Sequence, residues 1–361
     1  MVQAWGLRCV VALCLYLFWS PIGAAQNVNY DRLARAEQML QSGQSRRAEA
    51  YLLYLTRETS QAGIYLDALT KAIKRHPWQV TGGFALRPSS NANRAATARV
   101  FETSSGDFEI ENGGESQASV GLQLSAGVAY RWAVKRGRVV SVTGNLSRTA
   151  YEDADISHWD ASLSADYRIY SADDDWRFGL QISSARFGDA GSDRDTIGAR
   201  VVWTHRGEVD RTITLRAEHR DYLTKDNLDG PYVYGAAGWA QRVDDNGYSW
   251  GLSVERSLPD LGYQRYWGVG VRADYRTEIT DNIQGGITAS MTARRYNEDF
   301  SGVDYARRDD IAKIGLTLSD DRIEFLGATP TFGCTYTRHG SNISLYETDY
   351  VDCQIGFDYR F

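Results

Sequence analysis

Long apolar runs are missing from this sequence beyond its first residues. With a mean hydropathy of −0.43, the chain does not read as a helical membrane protein. Basic residues are outnumbered, 40 Lys and Arg against 46 Asp and Glu, which argues against nucleic acid as a partner. Histidine is scarce: His76, His158, His205, His219 and His339 make up the whole set. No H-E-x-x-H or G-x-S-x-G motif accompanies them. His219 stands beside Glu218 and Asp221 with no nucleophile nearby. His339 lies near Ser341, a pairing that would mimic a lipase, yet each histidine also fits a rim or lumen position. The expectation is a protein that is not an enzyme and that uses no cofactor or metal. Cysteine is equally sparse. Cys9 and Cys14 fall in the apolar N-terminus, and the spacing of the remaining pair, Cys334 and Cys353, matches no zinc motif.

What is abundant points elsewhere. The chain has 22 Tyr, 10 Trp and 34 Gly, a mixture suited to an all-β protein with aromatic girdles, although a soluble sandwich would also accept it. At the N-terminus Arg8 precedes an apolar run from Cys9 to Trp19, and Pro21 to Ala25 supply small residues. This is the pattern of a secretory signal peptide over residues 1–25, too short to span a bilayer comfortably. It places the mature chain in an oxidising compartment.

Residues 26–76 read as a helical segment. Leu33, Ala36, Met39 and Leu40 recur at helical spacing, Gly43 interrupts, and Ala48, Tyr51, Leu52 and Leu55 resume the period. The pattern resembles one tetratricopeptide repeat. A single repeat cannot bury its own faces, so the segment is expected to lean on the rest of the chain or on a partner.

From Trp78 the period changes to two. Val120, Leu122, Leu124, Ala126, Val128, Tyr130 and Trp132 alternate with Gly121, Gln123, Ser125, Gly127, Ala129 and Arg131. Trp267, Val269, Val271, Ala273 and Tyr275 alternate with Gly268, Gly270, Arg272 and Asp274. A stretch of about ten such residues fits a tilted strand crossing a membrane. About fourteen strands fit over residues 77–361. Their connections alternate between tight turns and longer loops, with 320–328 as the exception, an asymmetry that a soluble sandwich has no reason to show. The predicted fold is mainly β: a transmembrane antiparallel up-and-down β-barrel of about 14 strands with a short α-helical periplasmic N-terminal segment.

The last strand alternates Val351, Cys353, Ile355, Phe357, Tyr359 and Phe361 with polar or small residues. Phe357, Tyr359 and the terminal Phe361 read as an assembly signal for the barrel assembly machinery, which would pair this strand with an open sheet edge. Arg131, Arg148, Arg216, Arg256 and Arg272, with the acids Asp166, Glu218, Glu255 and Asp274, are read as lumen-facing charges, either paired into a plug or lining a polar path. Cys334 and Cys353 share the apolar parity of the last two strands. Hairpin pairing sets them opposite each other, so a cross-strand disulfide is the expectation, with two free lipid-facing thiols as the alternative.

These residues also resemble a family. The opening from Trp78 to Asn93, with Pro88, Ser89, Ser90, Asn91 and Asn93, is similar to the start of the surface lipoprotein assembly modulator (Slam) barrel domain. The close is similar too: Gly327 and Pro330 before the penultimate strand, then Arg338, Ser341, Asn342, Ile343 and Tyr346, with a terminal Phe. The resemblance implies a fourteen-stranded barrel below which tetratricopeptide repeats sit. It also implies translocation of surface lipoproteins or secreted haem-binding proteins. The single repeat here departs from larger members, which carry several.

Three functions follow as expectations. The first is an outer-membrane translocator assisting surface display or secretion of a client lipoprotein or secreted protein. The second is a passive or ligand-selective channel for small polar solutes, and the third a structural or adhesive surface barrel. Expected partners are outer-membrane lipid, the barrel assembly machinery and the client.

Overall fold

The computed structural model describes residues 30–42, 44–58, 62–104, 106–109, 115–188, 192–243, 246–325 and 328–360. The expected signal peptide, Gly43, Gly327 and Phe361 lie outside the described residues.

The helical period over the N-terminal segment resolves into three helices: α1 (Tyr30–Gln41), α2 (Ser45–Glu58) and α3 (Ala62–Arg75). Ala36 and Leu40 on α1, Ala48, Leu52 and Leu55 on α2, and Tyr65, Leu69, Ala72 and Ile73 on α3 bury one face of each helix. Their spacing of three and four residues is what brings one stripe of each helix inward.

Sixteen strands follow among the described residues. β1 (Trp78–Ser89) leads to a small hairpin of β2 (Val100–Thr103) and β3 (Gly106–Glu109). Then come β4 (Ser119–Lys135), β5 (Arg138–Ala150), β6 (His158–Tyr170), β7 (Asp174–Phe187), β8 (Arg194–His205), β9 (Asp210–Tyr222) and β10 (Gly230–Val243). The chain ends with β11 (Asn246–Ser257), β12 (Tyr266–Thr280), β13 (Ile283–Asp299), β14 (Ala306–Asp320), β15 (Pro330–Ser341) and β16 (Thr348–Arg360). All but β2 and β3 join one closed antiparallel barrel of fourteen strands, in which each pairs with its sequence neighbour and β1 closes on β16. Closure leaves no strand edge, the condition for crossing hydrocarbon with β-structure. Among the described residues no helix is long and apolar enough to cross a membrane.

Alternation fixes which face meets lipid. Leu124, Leu180, Ile197, Val254 and Leu316 stand on the outside at 54–64% exposure. So much large apolar surface suits hydrocarbon and not water. At the end bearing the tight turns, aromatic rings crowd together. Trp78, Tyr130 and Trp132 form one cluster, Trp176 and Trp203 another, and Trp239 stacks on Trp250 with ring centres 4.0 Å apart. Such a girdle marks one membrane interface.

Among the described residues the tight turns are 136–137, 171–173, 206–209 and 281–282; the opposite end carries the long loops. The exceptional connection after β14 folds back over the outside of the closing seam. There Phe325 meets Phe84 and Phe357, and Tyr359 donates to the Phe325 carbonyl at 3.1 Å.

Candidate functional site: the barrel lumen and its two mouths

The strand register builds the inner wall. One inward row runs Arg216, Tyr234, Glu255, Gly268, Arg294, Asp309 and Ser341 across β9 to β15. The adjacent inward row carries Glu218, Tyr232, Ser257, Tyr266 and Tyr296. Acids and arginines interlock along both. Tyr232 donates its hydroxyl to Glu255 at 2.6 Å, Arg294 donates to the same carboxylate at 2.7 Å, and Arg216 and Arg220 flank Glu218. Gly268 leaves the space this needs: a Cβ there would stand 2.9 Å from the Glu255 side chain. At the end of the belt Asp309 is fully buried, held by Arg307 and Tyr296, with His339 Nε2 3.0 Å away. The facing wall is different. Ser125, Asn145, Ser147, Ser162, Gln181 and Ser183 line a cavity of about 540 Å³, rich in groups that both donate and accept hydrogen bonds.

The tight-turn mouth is partly covered by the helices. Glu49 on α2 binds Arg131 on the inner face of β4, and the same guanidinium donates to the His76 carbonyl at 2.7 Å. Asp67 on α3 binds Arg136 in the next turn and holds that guanidinium above its ordinary range, chiefly through their hydrogen bond. Val139 joins the helical core, with Ala133 and Tyr170 packed against it. Near the end of α2, burial and then the like charge of Arg57 pull the Arg206 guanidinium below its ordinary range. Arg206 still donates to Asp175 at 2.9 Å. The helices therefore sit over the β4–β7 side. A cavity of about 640 Å³ remains beside them, lined by Arg57, Glu208, Asp210, Arg242, Arg272 and Asp274.

At the long-loop mouth the residues from the two ends of the barrel sequence meet. Asn91 is 1% exposed and clasps Ala95, donating to its carbonyl and accepting from its N–H, both at 2.9 Å. Ser89 Oγ accepts from the Asn91 N–H, and Ser90 Oγ accepts from the Val351 N–H at 2.8 Å. Asn93 bridges to Gln117 and Glu115. Ser344 donates to the Val100 carbonyl, and Thr97 binds the Glu347 carbonyl. Asn342 Oδ1 accepts from the Arg308 N–H at 2.6 Å. Tyr346 lies beneath Phe300 and against Arg307, whose guanidinium carbon is 3.1 Å from the ring centre. Phe101 of β2 also packs on Phe300. The loop after β1 is thus pinned across the mouth by the loops after β13 and β15. Pro88 is the penultimate residue of β1, aligned with Val120, where its ring removes a ladder donor. Pro330 opens β15.

The inward charges divide. Arg131, Arg272 and Asp274 face the lumen; Arg272 donates twice to Asp274, which also accepts from Thr288 at 2.7 Å. Arg256 and Arg148 do not. Arg256 aligns with Val233 and Trp267, and Arg148 with Leu124 and Trp159, all on the outer face. Both belong to the apolar parity of their strands but sit at the long-loop rim, where a guanidinium can reach out of the hydrocarbon layer. Cys334 pairs with Cys353, and Tyr336 with Val351; a disulfide joins the two sulfurs. Phe357 stacks on Phe84 across the closing seam with ring centres 5.0 Å apart. His339 and Ser341 both address Asp309 and not each other, so they do not form a hydrolytic pair. Sequence reasoning named Arg216, Glu218 and Glu255 of the Arg–acid–Tyr belt as inward charges but missed Tyr232, Arg294 and Asp309, which complete it. Their signal lay in the inward parity of β9–β14, and only the register across neighbouring strands connects them.

Known proteins place this architecture. Residues 78–361 match the family described as surface lipoprotein assembly modifier. Among solved structures, an in-vitro folded outer-membrane protein OmpT of Vibrio cholerae is 8% identical, with a TM-score of 0.44 over 79% of this chain and 97% of its own. The outer-membrane channel DcaP of Acinetobacter baumannii is 10% identical, with a TM-score of 0.43 over 78% and 97%. No curated protein matches the sequence. With a closed barrel girdled for the outer membrane and a family match across all fourteen of its strands, the chain belongs to the surface lipoprotein assembly modifier family.

Proposed function

We propose that this barrel is an outer-membrane translocator that assists surface display or secretion of a client lipoprotein or secreted protein. Its tight-turn end would face the periplasm, where α1–α3 form a reduced tetratricopeptide-like platform. The observation that carries the reading is the half-covered mouth. The helices close the β4–β7 side and leave a charged opening of about 640 Å³ beside Arg57. That volume is of the order of a small-molecule pocket. It suits an extended, unfolded segment and excludes a folded domain unless the helices move. Membership of the family supports the same reading. Phe357 and Tyr359 would serve the barrel assembly machinery during insertion, and outer-membrane lipid is the standing partner of the outer face.

Deleting the gene and comparing surface proteomes tests the proposal. One client, or a few, should disappear from the surface and return on complementation. An unchanged surface proteome would sink it.

A second reading, a selective channel for polar solutes, rests on the hydroxyl- and amide-lined cavity of about 540 Å³ along the opposite wall. Steady conductance of the purified full chain in a planar bilayer, together with an unchanged surface proteome, would favour it.

A further inference from the structure

The lipid-facing wall of β8–β11 carries an apolar furrow of about 540 Å³. Ala199, Ala217 and Gly235 form its floor, and Leu215, Val233 and Val254 its sides. At the long-loop end it opens beside Arg256 and Trp267. Register puts Val233, Arg256, Trp267, Arg295 and Arg308 in one outward row on five successive strands. Adjacent strands lie about 4.8 Å apart, so Arg256 and Arg295 are separated by about 10 Å, and Arg308 stands about 5 Å farther on.

This row has more positive charge than its neighbours neutralise. Arg295 is paired with Asp310 at 3.1 Å. Arg256 donates to the neutral amide of Asn297 at 3.1 Å. Among the described residues Arg308 has no carboxylate at ion-pair distance. An arginine row at the height where the apolar belt ends is where lipid phosphates sit. The long loops of an outer-membrane barrel face outward, so the row meets the outer leaflet. Its span of about 15 Å exceeds what one phosphate can occupy.

We propose that this wall binds a glycolipid carrying two phosphates, of the lipid A class. One acyl chain lies in the furrow. The phosphates engage Arg256, Arg295 and Arg308 through charge-assisted hydrogen bonds, and the Trp267 indole packs at the boundary of sugar and acyl chain. This site is independent of the translocation reading: it lies outside the barrel and needs no client.

Lipid binding to the purified full chain in detergent, followed by native mass spectrometry, tests it. Bisphosphorylated lipid A, dephosphorylated lipid A and phosphatidylglycerol are the three probes. The unaltered protein should prefer the first by at least about tenfold over either of the others. Arg256→Gln with Arg308→Gln should weaken lipid A about 100-fold, roughly tenfold for each lost charge-assisted contact. Gly235→Leu should weaken it while leaving every arginine in place. A Cβ at Gly235 makes only ordinary contacts of 3.5 Å with Leu215 and Val254, so the added side chain fills the furrow without displacing its walls. Retained heat-modifiable migration on gels confirms that each variant is folded. Equal affinity for phosphorylated and dephosphorylated lipid A overturns the proposal, as does equal affinity for phosphatidylglycerol, and both are read on the unaltered protein. Folded variants that bind lipid A as the parent does overturn it too.

Discussion

Glu49 and Arg131 form a two-pronged ion pair in which each side chain is only 11% exposed. It joins the helical segment to the inside of the barrel wall. A buried pair of this kind adds little over an apolar contact, but removing one partner strands the other charge. Glu49→Ala or Arg131→Ala is therefore expected to weaken helix docking by about 3 kcal/mol. The double variant should cost less than the sum of the two, since no charge is left stranded. Hydrogen exchange of the α2 amides measures this, with β14 amides as the unchanged control. Equal protection of α2 in parent and single variants would show that the apolar core around Leu52 and Val139 holds the helices without the ion pair.

Asp309 is expected to be the costliest acid to neutralise at the long-loop mouth. It is fully buried and accepts two hydrogen bonds from Arg307, itself 6% exposed. Asp309→Asn keeps the shape and leaves the guanidinium buried without its counter-charge, for a loss of about 3 kcal/mol. Asp310→Asn, one residue along and 53% exposed, should lose less than about 1 kcal/mol. Denaturant midpoints in detergent compare the two. Similar midpoints would mean that the rings of Tyr296 and Tyr346 suffice to hold Arg307 in place.

Much of this architecture is legible in the sequence because a barrel writes its inside and outside into every second residue. Val120 to Trp132 and Trp267 to Tyr275 declare both faces, and antiparallel pairing of the last two strands around their connecting loop fixes Cys334 against Cys353. The β2–β3 hairpin leaves no such trace. Its strands are four residues long and largely exposed, and their anchor, Phe101 on Phe300, comes from a loop some two hundred residues away in sequence. Arg256 misleads for the opposite reason. Its charge suggests the lumen, while its parity with Leu252 and Val254 places it outside. Parity is geometric, so it prevails wherever a long side chain can reach an interface. The pairings within the Arg–acid–Tyr belt stay hidden, although its inward Arg216, Glu218 and Glu255 are legible, because Glu255 and Arg294 become partners only through Gly268 on the strand between them.

The Cys334–Cys353 disulfide closes a loop with a sequence separation of 19. In the chain-entropy account a loop of this size contributes about 3 kcal/mol. Reducing agent should therefore lower the urea midpoint of the detergent-solubilised parent. The Cys334→Ser, Cys353→Ser double variant should start at that lower midpoint and ignore the reductant. A parent midpoint that does not respond to full reduction would show that the β15–β16 pairing already fixes this hairpin in the unfolded ensemble.

Asn91 has the largest expected effect on the loop after β1. Its amide serves as a substitute backbone partner, satisfying both the N–H and the carbonyl of Ala95, and it does so at 1% exposure. Asn91→Ala orphans both groups, and about 2 kcal/mol of local stability should go with them. That is roughly a 30-fold rise in the open population of the loop. Arg99 is exposed within it, so tryptic cleavage there should accelerate by about the same factor where opening precedes cutting. Asn91→Asp keeps the acceptor for the Ala95 N–H but turns the donor into a second acceptor facing the Ala95 carbonyl, so it should fall between parent and alanine. Asn93→Ala should matter less, because its bonds to Gln117 and Glu115 are exposed and water can replace them. If Asn93→Ala opened the loop as far as Asn91→Ala, the loop would be held by its far end at Gln117 and not by the turn that follows β1.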